Sequence, residues 1–409
     1  MPLPDTPDAP PSPRSSGSAW AVFWIFLRLG LTSFGGPTAH LGYFHHEFVL
    51  RRRWLSDTAY ADLVALCQVL PGPASSQVGM ALGLQRAGHA GLLAAWAGFT
   101  LPSALALAAF ALGLQRHGAA LPPGVLQGLK VVAVAVVAQA VWQLARRLCP
   151  DAPRRLLMAA CAALVLLVPG PWGQAGVLLL AAAVGRALLR PLGGPLPMAP
   201  DAPMPGGAAW FWLGSFVALL LGLPALAALW PAPALQVADA FYRAGALVFG
   251  GGHVVLPLLQ AEVVASGWID RDTFLAGYGA AQAVPGPLFT FAAFLGAVMR
   301  HGPSGWAGAA LALLAVFLPG ALLLRGALPL WQRLRTRAGW QGVLAGVNAG
   351  VVGLLLAALC HPVWTGTVHS PADALLVLLA LAALMLGRWP PWLVVLASGA
   401  GCWLLAALA

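Results

Sequence analysis

Two apolar runs near the start of this chain are long enough to cross a bilayer, and both are cut in the middle by glycine and proline. Residues 20–50 are broken at Phe34-Gly35-Gly36-Pro37, and residues 57–86 at Leu70-Pro71-Gly72-Pro73. Each half is about 14 residues, or roughly 21 Å of helix at 1.5 Å per residue. A hydrocarbon core of about 30 Å is too thick for such a piece. Each run is therefore a kinked crossing or a hairpin of half-helices that returns to its starting side.

The rest of the composition places these runs in a membrane. Hydrophobic residues make up 60% of the 409, and charged residues only 8%, against about 25% in soluble domains. Further apolar stretches fall at roughly 90–114, 124–146, 156–169 and 173–190, with an additional helix near 210–230. Alternating segments of a transmembrane barrel are lacking. The expected fold is an all-α polytopic membrane protein that passes the bilayer several times. Residues 1–19 read as a disordered tail without signal-peptide features, and 191–209 as a Pro/Gly-rich linker. Cys67, Cys149, Cys161, Cys360 and Cys402 show no metal-ligand spacing and read as small apolar residues. The net charge of +10 is mostly what cytoplasmic loops of any membrane protein carry.

The first half of the chain recurs in the second. Arg28 and Gly30 match Arg243 and Gly245; Phe34-Gly-Gly matches Phe249-Gly250-Gly251-Gly252; Glu47 matches Glu262, and Trp54 matches Trp268. Gln68-Val-Leu-Pro-Gly-Pro73 matches Gln282-Ala-Val-Pro-Gly-Pro287, Arg86 matches Arg300, and Pro102 matches Pro319. Gly124-Val-Leu-Gln-Gly128 matches Gly342-Val-Leu-Ala-Gly346. The matches keep one order at an offset of about 215 residues, which marks an internal duplication of 20–190 as 231–409.

Loop charge gives the orientation of the copies. With both broken runs as hairpins, Arg51–Arg53, the loop from Arg146 to Arg155, and Arg186/Arg190 share one side. The helix at 210–230 then carries the chain across. The second counterpart of the triple-arginine turn, 266–272, has lost its positive excess, while 325–340 holds Arg325, Arg333, Arg335 and Arg337. The basic residues have moved to the loop that an inverted-topology repeat requires.

A half-helix that starts at a break presents free N–H groups and about half a positive charge. Four such ends, after Gly36, Gly72, Gly251 and Gly286, suit a dianion. The candidate binding residues are Gly35, Gly36, Pro37, Thr38, Pro71, Gly72, Pro73, Ser75 and Ser76 in the first copy. Gly250, Gly251, Gly252, His253, Pro285, Gly286, Pro287 and Thr290 are those of the second. The alternative reading is that the breaks only kink packed helices. Charged residues inside apolar runs are functional candidates. Arg28 and Arg243 either neutralise an anion or pair and snorkel, and Lys130, whose counterpart is Asn348, is favoured for the site. Glu47 and Glu262 are the candidates for ion coupling. No nucleotide loop, HExxH motif or carboxylate cluster is present, so the expectation is a non-enzyme with neither cofactor nor metal.

On Phe34-Gly-Gly-Pro37 with Glu47 and Trp54, Leu70-Pro-Gly-Pro73, and their second copies, the sequence resembles the chromate ion transporter family in its two-domain form. The resemblance covers about residues 22–360. It implies an inner-membrane exporter of chromate, a tetrahedral dianion similar to sulfate, with halves of opposite orientation. One departure is Gly252-His253 where the first copy has Pro37-Thr38, so the half-sites differ. The expected function is secondary transport of a small oxyanion by alternating access. The alternatives are a sulfate or organic-anion carrier, or an anion channel. The expected partners are that oxyanion and the lipid bilayer, with a homodimer compatible and nucleic acid not.

Overall fold

The computed structural model describes residues 18–117, 124–189, 207–249, 252–331 and 338–408, and among these there is no strand. The first half comprises α1 (Ala19–Thr32), α2 (Gly36–His45, continued as a π-helical turn to Arg51), α3 (Asp57–Val69), α4 (Ala74–His117), α5 (Val125–Leu148), α6 (Ala152–Leu167) and α7 (Pro171–Leu188). Helix α8 (Gly207–Leu229) follows. The second half comprises α9 (Pro233–Ala246), α10 (Val255–Val263), α11 (Arg271–Ala281), α12 (Phe291–Val298), α13 (Gly305–Ala327), α14 (Ala338–Ala358), α15 (Pro371–Met385) and α16 (Pro391–Leu408). Helix α4 bends at Ala87 and Gly88, which leave helical geometry. Its two arms correspond to the separate α12 and α13.

Both broken runs fold as hairpins in both halves. Phe26 of α1 stacks on Phe48 (5.1 Å between centroids) and meets Phe44 edge-on (5.6 Å). Residues similarly far from the break on either side therefore lie side by side, as only a reversal of direction allows. In the second half Arg243 before the break reaches Glu262 after it at 3.1 Å. The next hairpin is closed at its base by Arg86 over the Trp54 ring at 5.3 Å. The equivalent pair in the second half is joined by Arg300 N–H donating to Trp268 O at 3.1 Å.

The halves are inverted and interlocked. Helices α5, α6 and α7 are joined by the short connections 149–151 and 168–170, which make neighbours antiparallel, so α5 and α7 point the same way. Along α14, Gly342 sits against Gly185 and Gly346 against Ala181 of α7, so α14 runs antiparallel to α7 and hence to its own counterpart α5. The same contact repeats with the halves exchanged: Gly124 lies on Cys402, and Gly128 on Ser398 and Gly399 of α16. A Cβ on Gly128 would come within 2.6 Å of the Ser398 carbonyl, and one on Gly346 within 2.0 Å of the Ala181 carbonyl. Small residues four apart thus allow each half's crossing helix to press on the last helix of the other, the usual route to close helix association in lipid.

Five helices among the described residues are long and apolar enough to cross a membrane. One is α8, roughly 34 Å long at 1.5 Å per residue. Only Ala209 of it is buried. It leans on α9 and α13, where Tyr242 donates to Phe216 O at 3.0 Å. The expected tail (1–19, apart from its last two residues), most of the expected linker (191–209, as far as 206), Arg190, and Arg333, Arg335 and Arg337 lie outside the described residues.

Candidate functional site

The four hairpin tips meet, and they do so reciprocally. Gly72 N–H donates to Val248 O at 2.7 Å, and Gly286 N–H donates to Ser33 O at 2.9 Å. Gly72 and Gly286 are equivalent positions, as are Ser33 and Val248. Each Pro-Gly-Pro turn therefore latches onto the last carbonyl before the other half's break. Both glycines need their freedom: φ is +119° at Gly72 and +99° at Gly286, a region costly for other residues. There is no room for a side chain either. A Cβ on Gly72 would lie 3.0 Å from Gly320 Cα, and one on Gly286 2.8 Å from Ser103 Oγ. Ser103 and Gly320 follow the equivalent prolines Pro102 and Pro319. Each turn rests on the small residue that the other half's long helix offers there.

These latches use the amides of Gly72 and Gly286 themselves. Donors left for a ligand lie at the first turn of α4, which follows Gly72, and at that of α2, which follows Gly35; intrahelical bonding leaves the first amides of a helix without partners. Gly36 and Pro37 face the second half: Gly252 lies against the Pro37 ring, and a Cβ on Gly36 would stand 3.9 Å from His253 Nε2. His253 Nδ1 is held by the Tyr278 hydroxyl at 2.9 Å. Gly35, Gly36, His253, Gln282, Gly286 and Leu288 enclose a cavity of about 20 Å³, room for about one water. A tetrahedral oxyanion enters this space only if the walls part. The expected donors at Gly250 and Gly251 lie outside the described residues, as does the side chain of Thr38.

The first half lines its side of the crossing with polar groups. His40 is buried, with Nε2 3.2 Å from Ser33 O and Nδ1 3.4 Å from Ser75 Oγ. A ring nitrogen facing a carbonyl has to be the donor, so Nδ1 accepts from the serine. Gln77 Nε2 donates to Pro71 O (2.9 Å) and across to Gly320 O (3.1 Å). Ser33 Oγ, Ser76 Oγ, Thr100 Oγ1 and Gln77 Oε1 are buried without a hydrogen-bond partner. Such atoms cost stability unless something satisfies them. In the second half Thr290, the counterpart of Ser76, bonds back to Pro287 O at 2.8 Å. Ser33, Gln77 and Thr100 are not evident from motifs. The signal that finds them is comparison of the copies, where polar residues of the first stand opposite apolar residues of the second.

The charged candidates do not gather at the crossing. Arg28 is exposed and makes no ion pair among the described residues. Arg243 is held by Asp239 (2.9 Å) and Glu262 (3.1 Å) and lies over the Trp172 ring at 5.3 Å. Lys130 reaches Asp272 at the start of α11, 3.2 Å away. Burial explains the pairings of Arg243, since a charge taken out of water needs a counter-charge. Glu47 pairs with Arg51 (3.0 Å) and Arg52 (2.6 Å), unlike its counterpart Glu262. The crossing itself presents hydroxyls, amides and helix ends, groups of the kind that can hydrogen-bond an anion by dipoles alone. Among the described residues no group of His, Cys, Asp and Glu could hold a metal ion.

Comparison with known proteins agrees with this two-part build. The family model described as "Chromate transporter" matches residues 20–186 and again 235–403, leaving α8 between the matches. The chain is 29% identical over 355 residues to the chromate transport protein of Pseudomonas aeruginosa, covering 81% of this chain and 77% of that protein. It is 29% identical over 322 residues to a probable chromate transport protein of Synechococcus elongatus, covering 73% of this chain and 72% of that protein. To the chromate transport protein of Cupriavidus metallidurans it is 27% identical over 378 residues, covering 88% of this chain and 86% of that protein. No solved structure matches the chain. With both inverted halves matched by the same model, the chain belongs to the chromate transporter family of membrane transporters.

Proposed function

We propose that this protein is a secondary carrier that moves chromate, or a tetrahedral oxyanion like it, outward across the inner membrane. The observation that carries this reading is the reciprocal latch of Gly72 on Val248 and Gly286 on Ser33. It holds the starts of half-helices from both halves around one polar centre. The anion takes its hydrogen bonds from the first turns of α2 and α4, the amides of Ser75 and Ser76 among them, from the Ser76 hydroxyl, and from His253 across the interface. The relatives named chromate transport proteins supply the cargo; sulfate, which has the same shape and charge, is the natural competitor.

Alternating access follows from the build. The polar centre sits between two halves of opposite orientation, so rocking one against the other opens it first to one side and then to the other. The small cavity corresponds to a shut stage of that cycle. The repeats are 20–190 and 231–409, with α8 as the helix that turns the second over. An inside-negative potential favours outward movement of a dianion by roughly 4.6 kcal/mol per 100 mV. Glu47 and Glu262 remain the candidates for coupling to a second ion, and their different partners give the two halves different roles in it.

Uptake of labelled chromate into everted membrane vesicles tests the proposal. Saturable uptake that depends on the protein and is competed by sulfate is expected. Uptake no greater than in vesicles without the protein removes the chromate reading, and single-channel currents would replace the carrier by a pore.

A further inference from the structure

Away from the crossing, a cavity of about 210 Å³ opens between the start of α7, α10, the start of α11 and the end of α14. This is many times the roughly 10–15 Å³ that one water needs. Its polar lining is Gln174, Gln260, Arg271 and His361, with Gly170, the residue that precedes α7, at one edge. Two amide oxygens, Gln174 Oε1 and Gln260 Oε1, are buried there without a hydrogen-bond partner. Their residues are only 6% and 7% exposed. The orientation of Gln174 is fixed, because its Nε2 donates to Pro257 O at 3.2 Å. Its oxygen therefore waits for a donor.

The same cavity offers positive charge. Arg271 has no carboxylate within ion-pairing distance among the described residues. His361 holds Thr365 Oγ1 through Nδ1 at 3.1 Å, which leaves Nε2 over. The start of the 18-residue α7 adds unpaired amides and its partial charge. The other half shows what these positions look like when no ligand is needed. The counterparts of Gln260 and Arg271 are His45 and Asp57, and they close on each other at 2.6 Å.

Beside the cavity the surface turns apolar and outward: Leu166, Leu167, Val168 and Trp172 are 47%, 77%, 55% and 70% exposed. On a membrane protein such a face meets acyl chains, and Trp belongs at the headgroup level. From these groups together we infer that the cavity holds the headgroup of a phospholipid whose terminus carries N–H or O–H donors, as ethanolamine and glycerol do. The phosphate faces Arg271 and the start of α7. The ammonium or hydroxyl end donates to Gln174 and Gln260, and the chains lie along Leu166 to Val168. The site lies on the face opposite the Arg51–Arg53 turn, since α10 and α11 join on that side.

Native mass spectrometry of the full chain tests this, after delipidation and incubation with phosphatidylethanolamine, phosphatidylglycerol or phosphatidylcholine. One ethanolamine or glycerol lipid retained per chain, at least tenfold over the choline lipid, is expected, since choline has no donor. Arg271→Ala and Gln174→Leu should each lower retention about tenfold, and Arg271→Lys should restore most of it. Circular dichroism identifies a variant that fails to fold, and the remaining variants then decide. Equal retention of the choline lipid, or variants that retain lipid like the parent, overturns the inference. So does inorganic phosphate retained as well as the lipid when it is supplied in the lipid's place, which would make this a site for a soluble anion.

Discussion

The two halves share a backbone and differ in what they put inside it. At the crossing, Ser33, His40, Ser75, Gln77 and Thr100 of the first half stand where the second has Val248, Val255, Phe289, Phe291 and Phe317. All ten are buried. One half thus keeps polar atoms in its interior, several without partners, while the other fills the same frame with apolar side chains. Each unpaired buried hydroxyl costs about 1–3 kcal/mol, so a frame this symmetric would be more stable with both halves apolar. The difference teaches that the frame and the ligand chemistry are separable. The frame needs both halves alike in glycine and proline, whereas the buried polar groups at the crossing are concentrated in the first.

The largest test of that separation is at the latches. Gly72→Leu and Gly286→Leu place a side chain where φ is above +90° and a neighbour lies within 3.0 Å of the new Cβ. Both should abolish chromate protection in cells, at least a hundredfold in transport rate, and do so equally, because the frame is symmetric. A variant that still protects cells fully would break the comparison at its root. Next come the arginines, where the halves should differ. Arg243→Ala strands Asp239 and Glu262 without their cation and should cost about 3–5 kcal/mol of stability. Arg28→Ala removes an exposed charge and should cost within about 0.5 kcal/mol. Thermal unfolding in detergent reads both, and equal losses would contradict the asymmetry.

The hydroxyls come third. Ser33→Ala and Thr100→Val should slow transport about tenfold, the equivalent of about 1.4 kcal/mol, with melting temperature unchanged or raised. A fall in stability with transport unaffected would assign these groups to structure instead. The smallest effect is expected at Lys130→Met. Its partner Asp272 is 68% exposed, so the pair is worth at most about 1 kcal/mol, and vesicle uptake should stay within about twofold of the parent.

Much of the frame was legible in the residues. The ordered repeats, the migration of arginines from the turn at 51–53 to the loop at 325–340, and the four breaks all follow from spacing and charge. Whether the broken runs cross or return was not, because it depends on which side chains touch across a break. Phe26 against Phe44 and Phe48 decides it. The repeated Gly-x-x-x-Gly stood out only as part of the duplication, and the structure shows what it is for: close contact with the last helix of the opposite half. At the site, lone charges drew attention that their ion pairs explain: Arg243 answers Asp239 and Glu262, and Lys130 answers Asp272. The quieter Ser33 and Thr100 carry no motif. Comparing the copies singles them out, and three-dimensional packing adds that their hydroxyls are buried without partners.

The central claim is that one anion sits where the tips of both halves meet. Diffraction from crystals grown with chromate, collected at the chromium edge, locates the metal of the oxyanion directly. The account predicts an anomalous peak within hydrogen-bonding reach of the first turns of α2 and α4 and of His253. A well-occupied peak elsewhere in the protein, with none between the tips, would contradict it.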